Sequence, residues 1–412
     1  MSDEPWVQSP IGDRDKAWSL RISKSVAVLA PHIVALMRLD DHIPLIETDH
    51  RAQRVYVVPE KDTWPDVARE LRDRGEIVLP MSQAREHEHG LVLAGSIRGI
   101  DDIRGPVLLV PHGGGFGQYR SWRAPTAQPG DGPTTGLHPD QILRDGQVRE
   151  DMKIVLTHER ELDLLTRFCP QAVSHALIAG DIAFDRLVAS RAYRNHYRRA
   201  LGVADDREIV VITSTWSRQS GFGRNPGLFR QVLDALPQDR FRVIATLHPQ
   251  IWSHHGEGQV RGWLRDSIEA GLGVLAPRTD WRGAVAAADY LMGDFTSVTG
   301  FAAGFGTPVL RIPHDPRPLL PGSPTAVLAD HSPLWDPTRP LVPQLHYSAD
   351  IQDRGLGARI AGLLTSRPGE AGAILHSAMY RMLGLREPAR GLPQSPVPLP
   401  RLVSRPDRWT TP

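Results

Sequence analysis

The sequence contains very little cysteine: there is one, Cys169, among 412 residues. A single thiol cannot close an intramolecular disulfide, so the chain is unlike the small secreted proteins that disulfides stabilise. We therefore expect a reducing, cytoplasmic location. Cys169 follows a stretch with helical spacing, and this position favours a structural role over a nucleophilic one.

Long apolar runs are also missing. No run reaches the roughly 18–20 residues that a membrane-spanning helix needs, so we expect no stable membrane insertion. The first residues lack the basic and apolar segments of a secretory signal. Charge of one sign is scarce too, because 48 Lys and Arg stand against 47 Asp and Glu. This balance argues against nucleic acid as a partner.

What the sequence does contain is an alternation of short apolar runs with stretches of helical spacing. Residues 25–30, 91–94 and 107–110 are typical of buried strands, and a second series of the same kind begins at 208–213. Such an alternation predicts parallel sheets that are covered by helices on both faces. The fold class is therefore α/β, with two Rossmann-like, doubly wound parallel-sheet domains that face a cleft.

The composition changes along the chain suggest five segments. Residues 1–24 are a polar N-terminal segment, and the two Rossmann-like domains occupy 25–200 and 201–345. Helices over 346–386 are expected to pack back on the domains. The Pro-rich tail, 387–412, is predicted to be disordered.

The most informative motif is the stretch from Gly293 to Gly306, which follows a predicted strand and opens a helix. Thr296 and Ser297 lie in the first turn of that helix, where free backbone N–H groups and the helix dipole attract phosphate. Asp294 or Thr296 could instead cap the helix, with the small residues serving packing. Capping and anion binding are compatible.

A second motif, from Val110 to Gly117, stands at the end of a strand in the first half. It contains His112, a residue type that can act as a general base near neutral pH. Gly113, Gly114 and Gly115 follow and permit close approach of the backbone to a ligand. Because ligands of open α/β sheets bind beyond the carboxyl ends of strands, we interpret this stretch as a cleft loop.

Two further polar loops follow strands of the second half. One contains Thr215 and Arg218, and the other begins at His248. His254 and His255 lie close by, but their spacing matches no recognised zinc site, and we expect no metal. Four polar loops at four strand ends, two in each half, together predict a single ligand cleft.

These motifs, taken in order, resemble those of a known family. His112-Gly113, Thr215-Trp216, His248-Pro249 and Asp294 to Ser297 look like the motifs of the CDP-glycerol glycerophosphotransferases, the teichoic acid polymerases, and in particular an actinobacterial branch. The resemblance covers residues 25–385. It implies the GT-B fold, which the UDP-N-acetylglucosamine 2-epimerases share, with the first domain binding an acceptor and the second a nucleotide donor.

The resemblance also implies roles for individual residues. His112 would be the general base on an acceptor hydroxyl. His248, Thr296 and Ser297 would bind the donor phosphates, and Thr215 would line the donor site. The role of Asp294 would be to position its loop.

Two positions depart from the family pattern. The nearest basic residue after His112-Gly113 is Arg120, and Ser217 separates Thr215-Trp216 from Arg218. The leading hypothesis is a transferase that moves a glycerophosphate or glycosyl group from a CDP- or UDP-linked donor to a hydroxyl acceptor, without a separate cofactor. The alternatives are a 2-epimerase-like isomerase and a non-catalytic nucleotide-ligand-binding protein. The oligomeric state stays open, a homodimer included.

Overall fold

The computed structural model describes residues 6–7, 19–20, 22–59, 66–111, 114–115, 137–315, 319–389 and 395–403. Its contacts divide the chain into two compact units. Unit 1 comprises Met1–Asp185 and Thr365–Gln394, and unit 2 comprises Arg186–Leu364 and Ser395–Pro412. The chain therefore passes from one unit to the other three times, and its first crossing precedes the predicted boundary at 200/201.

Unit 1 contains a seven-stranded sheet in which every neighbouring pair is parallel. The strands are β1 (Lys24–Leu29), β2 (Ala52–Val57), β3 (Val78–Leu79), β4 (Leu91–Ala94), β5 (Val107–Leu109), β8 (Met152–Leu156) and β9 (Ala176–Ile178), and a separate antiparallel hairpin is formed by β6 (Leu143–Arg144) and β7 (Gln147–Val148). The spatial order is β3-β2-β1-β4-β5-β8-β9. The order reverses direction between β1 and β4, which is the doubly wound arrangement that the sequence predicts.

Both faces of this sheet are covered by helices. Side chains of β1 alternate between two cores, with Val26 and Val28 in one and Ala27 and Leu29 in the other. The helices are α1 (Ile33–Leu39), α2 (Asp66–Asp73), α3 (Met81–Glu86), α4 (Pro139–Ile142), α5 (Glu159–Phe168), α6 (Ile182–Ala189), which ends in unit 2, and α17 (Ala371–Leu383). Cys169 is buried in the second core, as its predicted structural role requires.

Unit 2 contains a five-stranded, all-parallel sheet. Its strands are β10 (Glu208–Ser214), β11 (Phe241–Leu247), β12 (Gly273–Val274), β13 (Tyr290–Gly293) and β14 (Val309–Arg311). The order β12-β11-β10-β13-β14 again reverses direction, here between β10 and β13. The predicted α/β class with two Rossmann-like parallel sheets is therefore confirmed.

The helices of unit 2 lie on both faces of its sheet. They are α7 (Arg194–Ala200), α8 (Gly221–Arg224), α9 (Leu228–Ala235), α10 (Pro249–His255), α11 (Glu257–Glu269), α12 (Arg282–Ala287), α13 (Ser297–Phe305), α14 (Pro324–His331), α15 (Leu341–Ile351) and α16 (Gly357–Leu364). Shorter 3₁₀ and π segments are Ile43–Leu45, Ile100–Asp102, Pro170–His175, Ser190–Tyr193 and Gln352–Leu356. Among the described residues no helix is long and apolar enough to cross a membrane.

The last part of the chain contributes to both units. Of the helices expected over 346–386 to pack back on the domains, α15 and α16 belong to unit 2 and α17 to unit 1. Within the predicted disordered tail, residues 395–403 are bound to unit 2. Val397 is 3% exposed, and its carbonyl accepts a hydrogen bond of 2.7 Å from the Tyr197 hydroxyl. An apolar side chain and paired backbone groups hold this part of the tail in spite of its prolines.

Candidate functional site

The polar loops of unit 2 gather where the strand order reverses. Thr213 of β10 is in register with Gly293 of β13, and Ser214 is in register with Leu247 of β11. The next residues along each strand, Thr215, Asp294 and His248, therefore start at the same carboxyl edge of the sheet. In open α/β sheets this switch point is the usual place of a ligand.

Asp294 ties these loops together. Its carboxylate accepts hydrogen bonds from the Ser214 hydroxyl at 2.9 Å, from the Thr215 N–H at 3.1 Å and from the Gly221 N–H at 3.0 Å. Ser214 in turn accepts the N–H of Phe222 at 3.0 Å. One buried side chain thus fixes the loop after β10 against the loop after β13.

The carboxylate of Asp294 is 3% exposed. Burial raises its pKa, and the hydrogen bonds from Gly221, Ser214 and Thr215 oppose that rise by stabilising the charged form. Both of its oxygens are engaged with this loop. The arrangement suits a residue that holds a loop in place, and it does not suit an acid or base that exchanges protons with a ligand.

Helix α13 begins at this edge. Thr296 is its N-cap, and its hydroxyl accepts the N–H of Val298 at 2.9 Å. Gly293 allows the helix to start so close to the sheet, because a Cβ at this position would lie 2.5 Å from a methyl carbon of Thr299 and 2.6 Å from one of Thr213. Ser297 is the first residue of the helix. Capping by Thr296, one of the interpretations that the sequence allows, is therefore present.

His248 lies beside the same loops but is also a helix cap. Its N–H donates to the Ser214 carbonyl at 3.2 Å, and its Nδ1 accepts the N–H of Gln250 at 3.2 Å at the start of α10. An accepting Nδ1 places the proton of the neutral imidazole on Nε2. The side chain of Arg218 is exposed.

The two histidines at the end of α10 pack on tryptophans. His254 meets Trp216 edge-on with ring centroids 5.9 Å apart, and His255 meets Trp263 at 4.8 Å. Within the described part of the chain, no group of three or more His, Cys, Asp or Glu residues is placed to hold a metal ion.

One residue at this edge is missing from the sequence prediction. His314 follows β14, and its ring meets Phe295 edge-on at 4.8 Å. The adjacent Asp315 donates its N–H to the Gln219 carbonyl at 3.2 Å and forms an ion pair with Arg224, so the loop after β14 is joined to the loop after β10. The rule that polar residues at strand ends bind ligands could have found His314.

Unit 1 has a glycine loop at the end of β5. His112 and Gly113 lie outside the described residues. Gly114 and Gly115 are described, and both adopt the left-handed conformation, with φ values of 76° and 72°. The Gly114 N–H donates to the Asp181 carboxylate at 3.4 Å.

The predicted site residues thus belong to two groups. The structure brings Thr215, His248, Asp294, Thr296 and Ser297 together at one edge of unit 2. Gly114 and Gly115 belong to unit 1. That both groups serve one cleft stays a proposal.

No family model and no curated protein matches the chain. Solved structures do. A variant of the wall teichoic acid polymerase TagF, soaked with CDPG, aligns over 89% of this chain and 89% of its own at 10% identity, with a TM-score of 0.56. TagF itself gives a TM-score of 0.55 at 10% identity over 89% of this chain and 90% of that one.

A second kind of neighbour is MnaA from S. aureus, solved with UDP. It aligns over 88% of this chain and 98% of its own at 12% identity, with a TM-score of 0.53. At such identities the likeness shows the fold alone. The chain has the GT-B type of fold, built from two Rossmann-like units, and the resemblance to the glycerophosphotransferases is confirmed at that level.

Proposed function

We propose that the chain is a GT-B type transferase that moves a glycerophosphate or glycosyl group from a nucleotide-activated donor to a hydroxyl acceptor. The observation that carries this proposal is the edge of unit 2, where Asp294 joins the loop after β10 to the start of α13. Neighbours with the same fold include structures soaked with CDPG or solved with UDP.

In this proposal unit 2 binds the donor. The N-terminus of α13, at Thr296 and Ser297, faces the donor phosphates, because its dipole and N–H groups favour negative charge. His248 donates from Nε2, Thr215 lines the site and Arg218 supplies positive charge. His248 and Thr296 are held by the hydrogen bonds described above before the reaction begins, so they stabilise charge that develops on the leaving phosphate without having to reorganise.

The resemblance assigns the acceptor to unit 1, with His112 as the general base. His112 takes the proton of the acceptor hydroxyl while that oxygen forms a bond to the transferred phosphorus or anomeric carbon. The bond from this atom to the nucleotide phosphate breaks in the same step. The nucleotide leaves as the monophosphate after glycerophosphate transfer, and as the diphosphate after glycosyl transfer.

The isomerase alternative is disfavoured by the state of the acidic residues. An epimerase of this type needs carboxylates that face a sugar ring. The candidates for this role in the chain are Asp181, Asp185 and Asp294. Each accepts hydrogen bonds from two or more backbone N–H groups. They are therefore engaged in holding the backbone.

A thermal-shift screen tests donor binding. The chain is heated with CDP, UDP, GDP and their glycerol and sugar conjugates at millimolar concentration. A ligand of the native state at 100 times its Kd stabilises the fold by about 2.7 kcal/mol, so a cognate nucleotide should raise the Tm clearly. If no nucleotide raises it, the donor site is wrong.

The transfer step is tested with His112→Ala. This variant should keep the Tm shift with nucleotide and lose release of free nucleotide in the presence of a hydroxyl acceptor. Equal loss of binding and release would give His112 a structural role. Binding by the wild type without turnover across a panel of donors and acceptors would support the non-catalytic alternative. The cytoplasmic location belongs to this proposal as well.

A further inference from the structure

Asp181 is a buried carboxylate that the proposed reaction does not use. It follows β9 in unit 1 and is 5% exposed. One carboxylate oxygen, Oδ1, accepts the N–H groups of Ala183 at 2.9 Å and Phe184 at 3.0 Å, at the start of α6. The other oxygen, Oδ2, accepts the N–H of Gly114 at 3.4 Å, from a loop 67 residues earlier in the chain.

Further polar groups surround this carboxylate. A cavity of about 20 Å³ beside it is lined by Arg38, Asp41, His42 and Pro111, among other residues. Asp41 and His42 are 2% and 4% exposed. A cavity of this size has room for one water molecule, and its walls offer polar partners to it.

Burying such a cluster of charged and polar side chains is unfavourable in free energy. Buried ionisable groups lose their hydration, and apolar side chains of similar volume often stabilise a fold as well or better. The cluster does have one specific contact with the glycine loop, the hydrogen bond that the Asp181 carboxylate accepts from the Gly114 N–H. Pro111 of that loop also lines the cavity.

That loop needs a fixed backbone. Gly114 and Gly115 are both left-handed, a conformation that glycine visits readily but does not hold by itself. A carboxylate that accepts the Gly114 N–H restricts the turn at the point where β5 ends. Asp181 thus holds the described part of the loop through this hydrogen bond.

We propose that Asp181 is a positioning residue, which holds the described part of the loop after β5 through Gly114 so that the acceptor side of the proposed reaction keeps its productive geometry. This inference rests on the proposed function. It assigns Asp181 an effect on the transfer step through the loop, without contact with substrate.

Asp181→Asn separates the two sets of hydrogen bonds. The amide oxygen of asparagine can still accept from Ala183 and Phe184, but its NH₂ group would then face the Gly114 N–H, donor against donor. The matched control is Asp185→Asn. Asp185 also accepts two backbone N–H groups, from Gly369 at 2.8 Å and Ala371 at 3.1 Å, and these lie outside the glycine loop.

Three quantities are measured for each variant: kcat, KM for the donor, and hydrogen exchange of the peptide that contains residues 107–115. For Asp181→Asn we expect kcat to fall about 10- to 100-fold, since small displacements of positioned groups have effects of that size, with the donor KM within about twofold. Exchange of the 107–115 peptide should quicken. Asp185→Asn should change neither kcat nor this peptide.

A second variant tests the same hydrogen bond from its donor side, so that the result does not depend on the folding of Asp181→Asn alone. Gly114→Ala strains the other end of the same contact, and its loss of kcat should be non-additive with that of Asp181→Asn. Equal losses of kcat in Asp181→Asn and Asp185→Asn, or unchanged exchange at 107–115, would overturn the inference. A wild type without any transfer would refute the proposed function, while the exchange experiment would still decide whether Asp181 holds the loop.

Discussion

Each unit holds a buried aspartate beyond the carboxyl ends of its strands. The two aspartates differ in how many hydrogen bonds they accept from a neighbouring part of the sheet edge. Asp294 of unit 2 accepts from Ser214, the last residue of the adjacent strand β10, and from Thr215 and Gly221 in the loop that follows it. Asp181 of unit 1 reaches the glycine loop through the single N–H of Gly114, at 3.4 Å.

The difference follows from strand order. β13 and β10 are neighbours in register, so Asp294 begins beside Ser214 and next to Thr215. β9 and β5 are separated by β8, so Asp181 has to reach across one strand. A strand end and loop held by three donors are preorganised to a greater degree than a loop held by one. Under the proposed function, the donor side therefore has the more rigid geometry, and the acceptor side depends on one contact.

The largest expected effect is that of Asp294→Ala. The substitution leaves two buried N–H groups and a hydroxyl without their acceptor, so the free energy of unfolding should fall by about 3–4 kcal/mol. Urea denaturation measures this fall, and thermal shift should show that nucleotide binding is lost. Asp289→Ala is the control. Asp289 precedes β13, at the opposite end of the strand from Asp294, and pairs with Arg194 and Arg198. Its loss should lower the free energy of unfolding without weakening nucleotide binding.

The next effect is the response to acid of a buried histidine in unit 1. Burial lowers the pKa of His89 in unit 1 to about 4. The pKa of His89 in the folded chain lies below its value of about 6.5 in the unfolded chain. The free energy of unfolding is therefore unaffected by this group above pH 6.5, and it decreases as the pH falls towards 4. The loss is about 1.4 kcal/mol per pH unit, or about 3 kcal/mol by pH 4.

Urea midpoints across this pH range check the expectation. His89→Gln should flatten the pH dependence, because it removes a group that binds a proton more tightly in the unfolded chain than in the folded one. Burial also lowers the pKa of His32, to about 4, and that of His42, so part of the dependence should remain in this variant. A pH dependence equal to that of the wild type would contradict the assignment to His89.

A smaller effect is expected at His314. If this histidine adds positive charge beside the start of α13, His314→Ala should weaken nucleotide binding about tenfold, or 1.4 kcal/mol. Isothermal titration measures the change. His331→Ala provides the comparison, since His331 lies on α14 and bonds to the Val327 carbonyl instead. Equal affinities for the two variants would remove His314 from the site.

The smallest effect concerns the cap of α13. Thr296→Ala removes an N-cap and should lower the free energy of unfolding by about 1 kcal/mol, with Thr296→Ser restoring it. Ser323→Ala removes the corresponding cap of α14, where the Ser323 hydroxyl accepts the Ala326 N–H. Both variants should lose similar stability, but only Thr296→Ala should weaken nucleotide binding. A loss of binding in both would mean that stability alone controls affinity.

Much of the fold could be predicted because the signal is local. A buried parallel strand needs a short apolar run, and the runs at 107–110 and 208–213 correspond to β5 and β10. The polar edge of unit 2 could be predicted from the strand ends, since parallel strands in register bring Ser214 and Asp294 to one level, with Thr215 next to them. Local patterns and a single edge rule were sufficient for both.

Contacts between distant residues could not be predicted in this way. Asp181 accepts a hydrogen bond from the N–H of Gly114, and no pattern in either segment indicates the other. Arg194 and Arg198 pair with Asp289, which lies about 90 residues away in sequence and beside them in space, so sequence patterns alone give no sign of these ion pairs.

The path of the chain through the two units has a consequence for biosynthesis. Helix α17 supplies Leu375, Met379 and Leu383 to the same core as Val26 of β1, so unit 1 lacks part of its core until residues beyond 371 have been made. Chains fold as they leave the ribosome, N-terminal domains first. Here the unit that emerges first waits for a helix made after most of unit 2, and its uncovered apolar strands would be a binding surface for chaperones during translation.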